Sequence, residues 1–295
     1  MNNGLRITLI TLLSILLIFV VGIMVFLFKG NYNFSTINFS FGESKTLVDE
    51  KEITSIKNLN IESNVADVII ETKEGYTNSI KVELYSDHAE EYEITEKNDE
   101  IKVVLKDKRV VTMFGSNSSR IKIYVPATYD KYVVITNRTG DITIGKLPNS
   151  DFNISLTTGD VKAEQANNMI ISLTTGDVEL NKVFNGDITA TTGDVDINSI
   201  DKVKVKLTTG DITIGKISNS LSLTSTTGDV RITDANLKAN SNIKSGTGDV
   251  RINNTTGCYI DAKTNVGDTR VDNNDRKSDI VLTITSRVGD IRVNK

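Results

Sequence analysis

One cysteine, one histidine and no tryptophan occur in 295 residues, and each scarcity removes a class of chemistry. Cys258 alone cannot form an intrachain disulfide, and no cysteine directly follows the N-terminal apolar run, so a lipoprotein anchor is not expected. His88 sits in the charged stretch Asp87-His88-Ala89-Glu90 with no second histidine or nearby cysteine to complete a zinc site, and it reads as a surface residue. A nucleophile triad would need a histidine in a supported setting, and no Gly-x-x-x-x-Gly-Lys phosphate loop is present. The 34 basic residues are outnumbered by 38 acidic ones, so the chain lacks the basic excess that binds a phosphate backbone, and nucleic acid is not expected as a partner. No catalytic residue, cofactor-binding residue or metal ligand is assigned from these patterns.

What the chain has in quantity is one dipeptide. Gly-Asp recurs at Gly140-Asp141, Gly159-Asp160, Gly176-Asp177, Gly193-Asp194, Gly210-Asp211, Gly228-Asp229, Gly248-Asp249, Gly267-Asp268 and Gly289-Asp290. The spacings are 19, 17, 17, 17, 18, 20, 19 and 22 residues, and most pairs lie inside Thr-Thr-Gly-Asp-Val or a near relative. A fixed period of this length marks a repeat architecture. One and three places after each Asp the residues are apolar, as at Val161/Ala163, Val178/Leu180 and Val195/Ile197, and a second apolar pair precedes the Gly, as at Ile154/Leu156 and Ile171/Leu173. This is strand alternation, and it predicts two short strands per repeat. A third inward position falls six residues after the Asp, at Leu147, Ala166, Val183, Ile200 and Ile217.

Two architectures accommodate Gly-Asp between strands. In serial hairpins the pair would centre a type II′ turn, because glycine accepts the positive φ required there. The resulting antiparallel sheet would leave one apolar face uncovered, and nothing in the chain could cover it. A coil that winds once per repeat encloses its own apolar columns, makes Gly-Asp a corner and pairs each strand with its equivalent in the next coil. The fold expected is therefore all-β, a parallel β-solenoid (β-helix-like) of about nine or more coils. About five apolar side chains per coil, at roughly 1.5–3 kcal/mol each, do not offset backbone ordering of about 1–2 kcal/mol per residue, so a coil holds only through its neighbours.

Stacking the corners stacks the aspartates. Neighbouring carboxylates at about 4.8 Å repel by roughly 1 kcal/mol even in water, so something must offset them. One account is local, with each Asp closing an Asx-turn on nearby N–H groups. Another is a calcium ladder, since carboxylates and threonine hydroxyls are hard oxygen ligands, although one carboxylate per coil is thin ligation. Arg231, Arg251, Arg270 and Arg292 each lie two places after an Asp, where they can neutralise the C-terminal half of the column without a metal. The outward pairs Ser155/Thr157, Ser172/Thr174 and Thr189/Thr191 resemble a hydroxyl ladder, which Lys206 interrupts.

At the other end, Ile7 to Phe28 is a run of 22 residues without a charge, long enough as a helix to cross the hydrocarbon core. Phe28-Lys29-Gly30-Asn31 offers no small-x-small cleavage site, so the run is expected to remain as an anchor. The expected organisation is a cytoplasmic tail 1–6, a transmembrane anchor 7–28, a juxtamembrane linker 29–50, an irregular N-terminal β-region 51–136 and the regular Gly-Asp solenoid 137–295. A single-pass cell-membrane protein with its C-terminal domain extracytoplasmic follows. Ala66-Asp67-Val68 resembles a degenerate corner, so the solenoid can begin near residue 60 and a boundary near 137 is one of convenience.

Together, Ile121-Lys122-Ile123-Tyr124-Val125-Pro126, Thr139-Gly140-Asp141-Ile142, the serial Thr-Thr-Gly-Asp-Val corners and the early Val65-Ala66-Asp67-Val68 resemble the bacterial "putative adhesin" β-strand repeat domains, also called toast-rack domains, over about residues 52–295. The resemblance implies a β-solenoid surface domain of the kind tied to envelope-stress systems of the Lia and phage-shock type, with no catalytic residues to carry over. The function expected is a non-catalytic binding or scaffolding module, tethered to the cytoplasmic membrane, whose partner is an envelope protein or cell-wall polymer. Two alternatives stand beside it. One is a carbohydrate-processing β-helix enzyme, which would need an acidic groove breaking the repeat in one place; the other is a calcium-stiffened surface spacer.

Overall fold

A computed structural model of the chain describes residues 46–87, 89–107, 119–272 and 277–294. The expected anchor 7–28 and His88 lie outside the described residues. Among the described residues no helix is long and apolar enough to cross a membrane.

Period-two burial runs through the chain because alternate residues of a strand face opposite sides. The strands are β1 (Leu47–Ile53), β2 (Asn58–Thr72), β3 (Ile80–Tyr85), β4 (Ala89–Lys97), β5 (Glu100–Asp107), β6 (Ser119–Val125) and β7 (Tyr132–Thr139). The regular section holds β8 (Ile142–Thr158), β9 (Val161–Thr175), β10 (Val178–Thr192), β11 (Val195–Thr209) and β12 (Ile212–Thr227). Shorter strands follow: β13 (Val230–Asn236), β14 (Ser241–Thr247), β15 (Val250–Thr256), β16 (Tyr259–Val266), β17 (Thr269–Val271), β18 (Val281–Val288) and β19 (Ile291–Val293).

The regular section is a parallel β-solenoid. Strand β9 pairs parallel with β10, β10 with β11 and β11 with β12, in a register that places Val161, Val178, Val195 and Ile212 in one column. From Gly140 to Gly289 the chain makes eight corner-to-corner windings. In place of two short strands per repeat, β8 to β12 are single strands of 15–17 residues that keep pairing through a bend. The bend is filled from inside by Leu147, Ala166, Val183, Ile200 and Ile217, all buried. Pairing therefore crosses the bend, and the winding has its one sharp turn at Gly-Asp.

Both ends depart from sequential stacking. Strand β2 pairs parallel with β7 and β8 on one side and with β5 and β6 on the other, so an early passage of chain lies inside the stack. The parallel ladder thus runs without a break across residue 137. Beyond that outer rung, β4 pairs antiparallel with β5, β3 with β6, and β1 with β3. Asn64 and the Asp107 main chain exchange two hydrogen bonds of 2.8 Å, while the Ser86 and Ser119 hydroxyls donate to the Asp107 carboxylate. At the other end, β14 and β15 pair with β18 and β19, which in turn pair with β16 and β17. The last strands in sequence are therefore the penultimate rung in space.

Candidate functional site

The corner is built from what glycine lacks and what aspartate adds. Gly193 has φ 128°, and a Cβ there would stand 1.9 Å from the carbonyl oxygen of Gly176 in the neighbouring winding. No other residue tolerates both the left-handed backbone and that approach. Main-chain bonds continue around the turn in one direction: Gly176 N–H donates to Thr192 O at 3.0 Å and Val178 N–H to Asp194 O at 2.9 Å. The N–H between them, on the aspartate, points the other way and meets the side chain of the aspartate below. Asp194 N–H donates to Asp177 Oδ1 at 2.8 Å, and Asp177 N–H donates to Asp160 Oδ1 at 2.9 Å.

This bond recurs along the stack. Nine such N–H···Oδ1 bonds link ten aspartates in the order Asp67, Asp141, Asp160, Asp177, Asp194, Asp211, Asp229, Asp249, Asp290 and Asp268. The local Asx-turn expected from sequence is replaced by a bond between windings, because the N–H that needs an acceptor faces the neighbouring corner. A hydrogen bond to a carboxylate is worth about 1.5–3 kcal/mol, which by itself offsets the roughly 1 kcal/mol of repulsion between adjacent exposed carboxylates. Asp67 joins it at 3.2 Å, which places the degenerate corner Ala66-Asp67-Val68 in the same line.

With Oδ1 engaged, Oδ2 is the outward oxygen. Arg231 bridges Asp211 Oδ2 at 2.7 Å and Asp229 Oδ2 at 2.6 Å; Arg251 binds Asp249 at 2.6 Å and Arg292 binds Asp290 at 3.0 Å. Arg270 departs from its expected place and binds Asp272 at 3.2 Å. The guanidinium of Arg231, followed by the N–H of Asp229, holds the Asp211 carboxyl below its ordinary pKa. For Asp290 the larger cause is the Asp268 N–H, with Arg292 adding to it. Toward the middle of the stack, two places after the Asp, stand Glu179 and Asp196 instead of arginine. They line a groove of about 600 Å³ with Lys162, Glu164, Asn181 and Asn198. Burial, the largest cause, raises the Asp196 carboxyl above its usual range. Among the described residues no group of three or more His, Cys, Asp or Glu is placed to hold a metal ion.

A second column runs beside the aspartates. Thr139, Thr158, Thr175, Thr192, Thr209, Thr227 and Thr247 are paired in register from rung to rung, and all seven are exposed. The hydroxyl series four and two places before each Gly is interrupted at Lys206. The longer series lies one place before the Gly and runs unbroken from Thr139 to Thr247, giving way to Val266 and Val288 at the last two corners. The structure thus brings the corner residues together as one ribbon of threonine hydroxyls and aspartate Oδ2 atoms along the solenoid edge.

The family model described as Toastrack DUF4097 matches residues 56–219 and 187–294. No curated protein matches the chain. Among solved structures, a "putative adhesin" of Bacteroides fragilis is similar at 12% identity over 86% of this chain and 100% of that chain, with a TM-score of 0.46. A "putative lipid binding protein" of Parabacteroides distasonis is similar at 15% identity over 84% of this chain and 96% of that one, with a TM-score of 0.42. A "putative cell adhesion protein" of Clostridium sporogenes is similar at 16% identity over 83% and 98%, with a TM-score of 0.23. At these scores the likenesses add nothing to what the strand register already says. The family match spans the strand-bearing region from its first inner rung to its last, and the chain belongs to the Toastrack DUF4097 family.

Proposed function

We propose that this protein is a membrane-tethered, extracytoplasmic binding and scaffolding module without catalytic activity, and that it presents the threonine–aspartate ribbon to another component of the cell envelope. The observation that carries the proposal is the column of seven exposed threonines in register beside the aspartate column. The same threonine and aspartate side chains recur on successive rungs. Such a surface suits a partner that repeats as well, a cell-wall polymer above all, because weak contacts made at several rungs multiply into a useful affinity. The uncharged run from Ile7 to Phe28 supports tethering, and a short N-terminal tail supports placing the solenoid outside. The envelope-stress association that the family resemblance implies fits the same placement.

Cosedimentation with purified cell-wall sacculi, with and without their teichoic acids, tests the binding. The wild-type chain is expected to pellet, and a Thr175→Val, Thr192→Val, Thr209→Val variant, which keeps strand propensity but removes three hydroxyls, is expected to bind several-fold more weakly. Equal binding by the variant would remove the ribbon as the surface, and no binding by either would remove the polymer as the partner. External protease on intact cells tests the placement, since digestion of the solenoid is expected only if it lies outside.

A further inference from the structure

The two ends of the solenoid are finished differently. At the N-terminal end strand β4 carries Glu90, Glu91, Glu93 and Glu96, all exposed, and although Lys106 pairs with Glu91 and Lys57 with Glu96, a strand arriving there still meets charged side chains. At the C-terminal end β16 pairs with β18 alone among the described strands. The N–H of Tyr259 donates to Ile280 O at 2.8 Å, which fixes the phase of the strand: Tyr259, Asp261 and Lys263 turn their main-chain groups to β18, and Ala262 and Thr264 turn theirs away. The interior is also less well covered here. Ala262 and Thr264 are half-buried, whereas Ile284 and Ser286 directly beneath them are buried, and Val266 is 62% exposed.

We infer that this end is a self-pairing edge, at which two copies of the chain join β16 to β16 antiparallel about a twofold axis through Ala262. Two identical ends can meet symmetrically only about such an axis, and it makes the meeting strands antiparallel. With Ala262 opposite Ala262, the outward N–H and C=O of each copy satisfy those of the other. Asp261 of one copy then stands opposite Lys263 of the second, and Lys263 opposite its Asp261, on the same exposed face. Neither residue forms an ion pair among the described residues. The charges also select this register, because centring the pair on Asp261 or on Lys263 would oppose like charges. The occupant that the edge fits is therefore a second copy of this chain.

Sedimentation equilibrium of the full chain, kept in detergent on account of the apolar run 7–28, tests the inference. The wild type is expected to dimerise, and Lys263→Asp, which turns both cross-strand pairs repulsive, to weaken the dimer by at least about tenfold. The double exchange Asp261→Lys with Lys263→Asp is expected to restore it. Mixing the two single variants, Asp261→Lys and Lys263→Asp, is expected to give a heterodimer. Circular dichroism and the melting curve report that each variant is folded, since both positions are on the solvent face. A monomeric wild type, a dimer indifferent to Lys263→Asp, or a double exchange that stays monomeric would each overturn the inference; indifference to Lys263→Asp would put the contact elsewhere, the apolar run included.

Discussion

Oδ1 of Asp177 accepts the main-chain N–H of Asp194, a duty that an ordinary parallel ladder gives to a carbonyl. Asp177→Ala removes the acceptor but leaves the N–H at an exposed corner where water reaches it, so the expected loss is about 1 kcal/mol, read from urea unfolding midpoints. Asp177→Asn keeps an acceptor oxygen and is expected to lose well under half of that. The glycines beside these aspartates are a harder constraint. Gly193→Ala meets both a φ of 128° and a carbonyl 1.9 Å away, and about 3 kcal/mol or more of destabilisation is expected. Gly75→Ala is the comparison: φ there is 86° but nothing lies within 4 Å of the added methyl, so only about 1 kcal/mol is expected. A similar loss at both positions would show that the close approach between windings carries no cost.

A winding differs from its neighbours mainly in what stands two places past the aspartate. Arg231 neutralises Asp211 and Asp229 together, and it is the largest cause of the lowered Asp211 pKa. A carboxyl whose folded value lies below its unfolded value contributes stability above the unfolded value, which is lost as pH falls through the folded one. The window for Asp211 therefore opens at the ordinary 3.8 and extends downward. Arg231→Gln is expected to change stability at pH 7 by no more than about 1 kcal/mol, since the pair is exposed, and to flatten the decline below pH 4. Arg292→Gln is expected to flatten it less, because the Asp268 N–H, and not the arginine, is the larger cause at Asp290. Urea midpoints at pH 7 and pH 3 measure both.

Across the stack, order in space and order in sequence part company at the ends, and this changes what a truncation removes. Ending the chain after Asp272 takes away β18 and β19, an inner rung, and leaves β16 and β17 without the strands they pair with. Hydrogen exchange is expected to show loss of protection throughout β16 and β17 and new fraying in β14 and β15, not a loss confined to the missing residues. Deleting residues 177–193 removes a whole winding with a smaller consequence. It joins Gly176 to Asp194, keeps the parallel register that β9, β10 and β11 share, and removes one interchangeable winding. A folded protein with a urea m-value lower by about a tenth is expected, as for a one-dimensional array losing one unit.

The repeat period, the inward columns and the corner were legible in Gly-Asp and in the alternation on either side of it, because a period-two pattern tied to a fixed turn leaves a winding chain few ways to bury its apolar face. Leu147, Ala166, Val183, Ile200 and Ile217 were legible for the same reason. The role of the aspartate was not, since its hydrogen bond runs to a residue 17 to 74 positions away and nothing local marks its direction. The threonine column was present in every Thr-Thr-Gly-Asp but gained meaning only when the register aligned seven copies. Local chemistry thus dictated the turn, the strand and the need to stack. Which passage of chain stacks on which was left to long-range pairing, where Asp67 meets Asp141 and β18 slips between β14 and β16, because hydrogen bonds between equivalent rungs are alike and the ends settle where the most edges are paired.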